Sequence, residues 1–283
     1  MSDTEPAAKR SRPERISFVL SDVDGTLVTD DKRVTRASQA AVARLKQQGI
    51  GFSVTSSRPP FGMRYIVDAL GITDPVGGFN GGTMVRPDMS VIEQTLIPEE
   101  AARVAIDLLG SERISTWFFT AGQWLITDPD GPHVEHELRT ILTEPTVVSD
   151  FTPYLAQGGK IVGASDDHEH LAAIEGTLAQ ALHGLTHSGR SQLYYLDVTP
   201  PHVDKGTVVA FISRSMGIPA SEIVTIGDMD NDIPMFRKAG YAIAMGNGSD
   251  AAKAAADMVM AEGNEADGFA AAVNRLLDDE RMN

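Results

Sequence analysis

Two groups of carboxylates stand out by residue type and spacing. In "SFVLSDVDGTLVTD", residues 17–30, the apolar run Phe18-Val19-Leu20 ends in Asp22 and Asp24, and Gly25 and Thr26 follow at once. In "EIVTIGDMDND", residues 222–232, a second apolar run ends in Asp228 and Asp232. Charge at the end of a buried strand is costly unless something pairs with it. Several carboxylates at one point repel one another, so a hard dication is their natural partner. Mg²⁺ suits such a place, because it takes few protein carboxylates and completes its shell with water and a substrate phosphate. Lys205 adds a cation at the start of a helix, where it can neutralise a carboxylate or hold a phosphate. The stretch "VTSSRPP" offers Thr55, Ser56, Ser57 and Arg58, the hydroxyl and guanidinium donors that a phosphoryl group needs.

These groups act together only if the chain converges on them. "ISFVL" (16–20) reads as a buried strand. "TRASQAAVARLKQQG" (35–49) reads as a helix, with Thr35 as its cap, Ala41, Val42 and Leu45 on one face, and Gly49 past its end. "IGFSVTS" (50–56) is a second strand, and Pro59 and Pro60 open a helix that stops at Gly71. From 205 onward the same rhythm returns: helix 205–217, strand 222–227, helix 232–240, strand 241–246, helix 249–256, the strand "DMVMA" and helix 265–279. Alternation of this kind implies an α/β fold with a Rossmann-like parallel-sheet core. Ligands in open α/β sheets bind outside the carboxyl ends of the strands. Both acidic groups are predicted to lie there.

The middle of the chain reads differently. Helical patches at 98–110 and 166–182 alternate with strand-like "STWFFT", "QWLITD" and "GKIVGAS", which predicts an inserted α+β cap domain. The expected organisation is a disordered tail over 1–14, a catalytic core over 15–85 and 190–283, and the cap over 86–189. The Gly- and Pro-rich turns at 77–85 and 199–206 are its expected hinges.

Composition narrows the function classes. The chain has 283 residues, a formal charge of −15 and no cysteine. Disulfides, thiolate metal sites and a cysteine nucleophile are excluded. The acidic balance argues against a nucleic-acid partner and against an anionic membrane surface. No apolar run approaches the roughly 20 residues that span a bilayer, and "MSDTEPAAKRSRPER" has no apolar core of a secretory signal. A cytoplasmic protein is expected. Oligomeric state is not legible in the sequence.

The ordered stretches "DVDGTL", "TSSRP", "DKG" and "GDMDND" resemble the four motifs of the haloacid dehalogenase-like phosphohydrolases. An insertion between the second and third motifs resembles the Cof-like type with a large C2 cap. "NGG" (80–82) and "EADGFAAAV" near the end match that pattern too. The resemblance covers about 16–85 and 195–278 and contributes little to the cap. It implies that Asp22 is a nucleophile forming an aspartyl-phosphate and that Asp24 is the acid and base. It implies Lys205 as charge balance, with Asp22, Asp228 and the backbone carbonyl of Asp24 as ligands of Mg²⁺. Asp232 would anchor the acidic loop, and Gly25, Arg58 and Asn231 would belong with the phosphate. The second motif commonly reads Thr-Gly-Arg and here reads Ser56-Ser57-Arg58. The phosphate-binding hydroxyl is therefore Ser56 or Ser57, with Ser56 preferred.

Function follows as a Mg²⁺-dependent phosphomonoesterase acting on a small phosphorylated metabolite, sugar phosphates among them. Two alternatives stand beside it. One is a phosphotransferase or mutase on the same scaffold. The other is a phosphorelay receiver, which uses similar groups in about 120 residues and leaves the insertion unexplained. In the cap, His133, His136, His187, Arg190 and His202 read as surface or packing residues. His168 and His170 lie two apart on a helix and face differently. Trp117, Phe118, Phe119 and Trp124 read as cap core.

Overall fold

The computed structural model describes residues 9–278. Two units emerge. Among the described residues, the first comprises 9–56, Tyr65–Gly81 and 204–278; the second comprises Ser57–Arg64 and Gly82–Val203. The insert is thus wider than the sequence boundaries of 86 and 189. The extra residues after 189 follow from pairing: strand Tyr195–Thr199 lies antiparallel to strand Lys160–Ala164, which joins it to the insert's sheet.

The first unit holds a five-stranded parallel sheet. Its order is Met258–Val259, Tyr241–Ala244, Ile223–Gly227, Phe18–Ser21, Gly51–Val54. The chain steps to one side from its first strand to its second and later fills the other side. The order therefore reverses at Phe18–Ser21, where α/β sheets open a ligand crevice. All four residues of that strand are buried, as a central parallel strand requires. Helix Arg36–Gln47 starts under a Thr35 side chain that accepts from the Ser38 amide, and it buries Ala41, Val42 and Leu45. Helix Lys205–Met216 starts with a reciprocal cap between Asp204 and Thr207 and ends at Gly217, whose φ of 68° only glycine adopts at little cost.

The insert is α+β. Its six-stranded sheet runs His187–Gln192, Tyr195–Thr199, Lys160–Ala164, Ser115–Phe119, Trp124–Ile126, Thr146–Val147. Period-two alternation separates the faces. Phe118, Ile161 and Leu196 pack with Ala105, Leu109, Leu171 and Leu178 of helices Glu99–Ser111 and His168–Ala181. Trp117, Phe119 and Trp124 are also buried and take the opposite face.

Of the tail expected over 1–14, residues 1–8 lie outside the described residues. Part of the remainder is held rather than loose. The Arg10 amide and guanidinium donate to the Asp257 carboxylate at 2.7 and 2.8 Å, and the Arg12 guanidinium donates to the Leu276 carbonyl at 2.8 Å. A polar segment without apolar anchors reads as solvated; here its partner lies 247 residues away.

Candidate active site

The site is set by strand register. Ser21 lies opposite Ile226 on one side and Val54 on the other. The Asp22 amide donates to the Ile226 carbonyl at 2.8 Å, and the Thr55 amide donates to the Ser21 carbonyl at 2.9 Å. Asp22, Asp228 and the Thr55-Ser56 pair therefore leave three neighbouring strands at the same edge. Gly25, at φ 73°, brings the backbone against Asp228 so closely that a Cβ there would overlap the carboxylate. Glycine is required on both counts.

Lys205 is 1% exposed, and its ammonium lies 2.6 Å from Asp22 Oδ1 and 2.5 Å from Asp232 Oδ1. Asp232 Oδ2 accepts from the amides of Asp228 and Met229, at 2.8 and 3.0 Å. Asp232 thus ties the acidic loop to the lysine. Asp228 Oδ1 accepts from the Thr26 hydroxyl at 3.0 Å. Three carboxylates and one ammonium share a buried place, and the protonation equilibria show it. Burial pushes the Asp22 carboxyl well above its ordinary range against the pull of Lys205, with Asp232 and Asp228 pushing the same way. Burial and the charge of Asp232 push Asp228 up to about 6, while the Thr26 hydroxyl opposes. Burial alone would lower the Lys205 ammonium, yet Asp22 and Asp232 outweigh it and raise it.

The surplus negative charge meets the chemistry of a hard cation. Oxygens of Asp22, Asp228 and Asp232 lie within 4.8 Å of one another. The donors are carboxylates only, the set that suits a hard divalent ion rather than a soft one. With Asp232 engaged by Lys205 and two amides, Asp22 and Asp228 are the side chains that could hold such an ion.

The other residues singled out by sequence divide between the units. Ser56 is buried beside the cluster's strand ends, with its amide donating to the Gly77 carbonyl and its carbonyl accepting from the Asn80 amide. The Asn231 side chain donates to Asn80 Oδ1 at 3.2 Å. Asp24 is half-buried, with Lys32 against its carboxylate at 2.7 Å. Ser57 and Arg58 belong to the second unit, where the Arg58 guanidinium donates to the Gly62 carbonyl at 3.2 Å. Sequence reasoning missed Thr26, Lys32, Asn247 and Asn264. Asn247 donates to the Gly25 carbonyl at 2.9 Å, and its own side-chain oxygen accepts from the Asn264 amide at 3.1 Å. A signal was available: "GNGSD" (246–250) follows the strand Tyr241–Ala244 at the same sheet edge.

Comparison with known proteins shows the family to which the chain belongs. The family model described as haloacid dehalogenase-like hydrolase matches residues 19–273. A 5-amino-6-(5-phospho-D-ribitylamino)uracil phosphatase of Bacillus subtilis, YwtE, is 27% identical over 282 residues, covering 92% of this chain and 97% of that protein. A phosphoglycolate phosphatase of Methanopyrus kandleri is 26% identical over 271 residues, covering 93% and 98%. A crystal structure of a haloacid dehalogenase-like hydrolase from Bacteroides thetaiotaomicron superimposes with a TM-score of 0.87 at 24% identity, covering 93% of this chain and all of that one.

Proposed function

We propose that this chain, which belongs to the haloacid dehalogenase-like hydrolases in their Cof-like branch, is a phosphatase that hydrolyses small phosphorylated metabolites through an aspartyl-phosphate. The observation that carries the reading is the buried Asp22 carboxylate at a strand end, held by Lys205 and flanked by Asp228, with half-buried Asp24 two residues on. The phosphatases named among its relatives act on phosphorylated metabolites of modest size, and that substrate class is the one proposed here.

In the first half-reaction an Asp22 oxygen attacks phosphorus. The bond from phosphorus to the leaving oxygen breaks, and its electron pair goes to that oxygen, which takes a proton from Asp24. In the second half-reaction water attacks the aspartyl-phosphate and gives a proton to Asp24, the bond to Asp22 breaks, and phosphate and the Asp22 carboxylate are restored. Lys205 keeps the Asp22 side chain oriented and partly neutralised, and Asp232 keeps Lys205 and the acidic loop in place. Ser56 would donate to the phosphoryl group, with Asn231 and the turn at Gly25 beside it. Mg²⁺, held by Asp22, Asp228 and the Asp24 carbonyl, would supply positive charge at the phosphoryl oxygens. Among the described residues no helix is long and apolar enough to cross a membrane, in keeping with the cytoplasmic location we propose.

Phosphate release from p-nitrophenyl phosphate and from a panel of phosphorylated metabolites, with Mg²⁺ and with EDTA, tests the reading. Wild type should turn over only with Mg²⁺, and Asp22→Asn should lose activity by roughly 10⁴-fold or more. Retained turnover in Asp22→Asn would sink the mechanism.

A further inference from the structure

Lys32 belongs to none of the motifs, yet its ammonium lies 2.7 Å from Asp24 Oδ1. Both residues lie in the first unit. The backbone that aims it is unusual. Lys32 has φ 65°, in the left-handed region that a long side chain seldom occupies. A tight turn holds it there: the Lys32 amide donates to the Thr29 carbonyl at 2.8 Å, and the Thr29 amide donates to the Arg33 carbonyl at 3.1 Å. The Thr29 hydroxyl accepts from the Arg33 amide at 3.1 Å and donates to Asp31 Oδ1 at 2.5 Å.

The turn is also pinned from far along the chain. The side-chain amide of Asn264, itself buried, donates to the Val28 carbonyl at 3.2 Å and to Asp30 Oδ1 at 3.0 Å. The Asp30 amide donates to Glu265 at 2.6 Å. Asn264 is coupled to Asn247, which holds the Gly25 carbonyl. One asparagine pair therefore braces both the turn bearing Lys32 and the segment just after Asp24. A half-exposed ion pair adds little net stability, and left-handed backbone at lysine subtracts from it. Stability does not account for the arrangement; fixing an orientation does.

We propose that Lys32 is a positioning residue for the leaving-group step: its ammonium, aimed by the braced turn, sets the rotation of the Asp24 carboxyl. The inference rests on the acid–base role proposed for Asp24. As the phosphorus–oxygen bond breaks, the leaving oxygen gains the electron pair and Asp24's proton, so the Asp24 carboxyl has to face that oxygen. A carboxyl held at one rotation meets the leaving oxygen without having to reorganise, and that is where positioning affects rate.

Leaving-group dependence tests this. p-Nitrophenolate departs with little need of a proton, whereas the alkoxide of glycerol 2-phosphate needs one. Lys32→Met should lower kcat on glycerol 2-phosphate by at least about tenfold with little change in KM, and change kcat on p-nitrophenyl phosphate by less than about threefold. Lys32→Arg should recover most of the loss on the alkyl ester. The nitrophenyl ester reports that the variant is folded. Equal losses on both esters, no loss on either, or failure of Lys32→Arg to recover activity would overturn the inference. Wild type that releases phosphate from neither ester would instead overturn the phosphatase reading beneath it.

Discussion

Each unit holds a lysine–aspartate pair, and the two are built differently. In the first, Lys205 serves two carboxylates, and Asp228 stands beside them with its own hydroxyl partner. In the insert, Lys160 meets Asp197 alone at 2.7 Å on a sheet face, with the two side chains 13% and 12% exposed. Among the described residues Asp197 Oδ1 has no hydrogen-bond partner. The second pair is balanced one to one and makes no demand for further charge. The first holds three carboxylates against one ammonium, and its carboxyls at Asp22 and Asp228 are pushed upward as a result. A buried ion pair is therefore no mark of function; a surplus of like charge, held rigidly at a sheet edge, is one.

The sharpest way to break this contrast is to remove each lysine. Lys205→Met leaves Asp22 and Asp232 without their cation, and it should cost about 3–5 kcal/mol in urea denaturation and abolish turnover. The deficit should shrink at acid pH, because protonating a carboxyl removes uncompensated charge. A deficit of equal size at pH 5 and pH 8 would mean lost packing instead.

The next effect belongs to the dication. Asp228 titrates at about 6 in the folded chain against 3.8 unfolded. Between those values the folded state binds the extra proton, so this group's contribution to metal-free stability falls as pH rises through the window. Above it the surplus charge is fully developed, and a cation offsets it. At pH 7.5 Mg²⁺ at about 100 times its Kd should stabilise by about 2.7 kcal/mol, with the gain shrinking as pH falls below about 6. Thermal melts with and without Mg²⁺ at pH 5 and 7.5 give the comparison; equal gains would contradict it.

The smallest effect is expected in the insert. Lys160→Met should cost about 1–2 kcal/mol, since its pair is partly exposed, and leave turnover of p-nitrophenyl phosphate within about threefold. A loss as large as that of Lys205→Met would erase the distinction between the two pairs.

Local order was legible from residue types. The apolar runs ending in Asp22 and Asp228, the Thr35 cap, the helix start at Lys205 and the glycine stops at Gly71 and Gly217 all read directly, because each depends on neighbours a few positions away. The α/β core with its inserted α+β unit followed from the order of those elements. The extent of the insert did not. Strand Tyr195–Thr199 is assigned by pairing with Lys160–Ala164, which no local pattern encodes.

What the sequence determined by itself is an inventory: two acidic strand ends, a lysine at a helix start and a hydroxyl-rich turn, in an order that resembles one family. What only the tertiary structure decided is which of them share charge. Register places Ser21 opposite Ile226 and so brings Asp22 and Asp228 within reach; that pairing joins strands about two hundred positions apart. The same holds for Asn264 on the turn after Val28 and for Lys32 on Asp24. Electrostatic and hydrogen-bond energies depend on distances of a few ångströms in space, and separation along the chain does not reveal them.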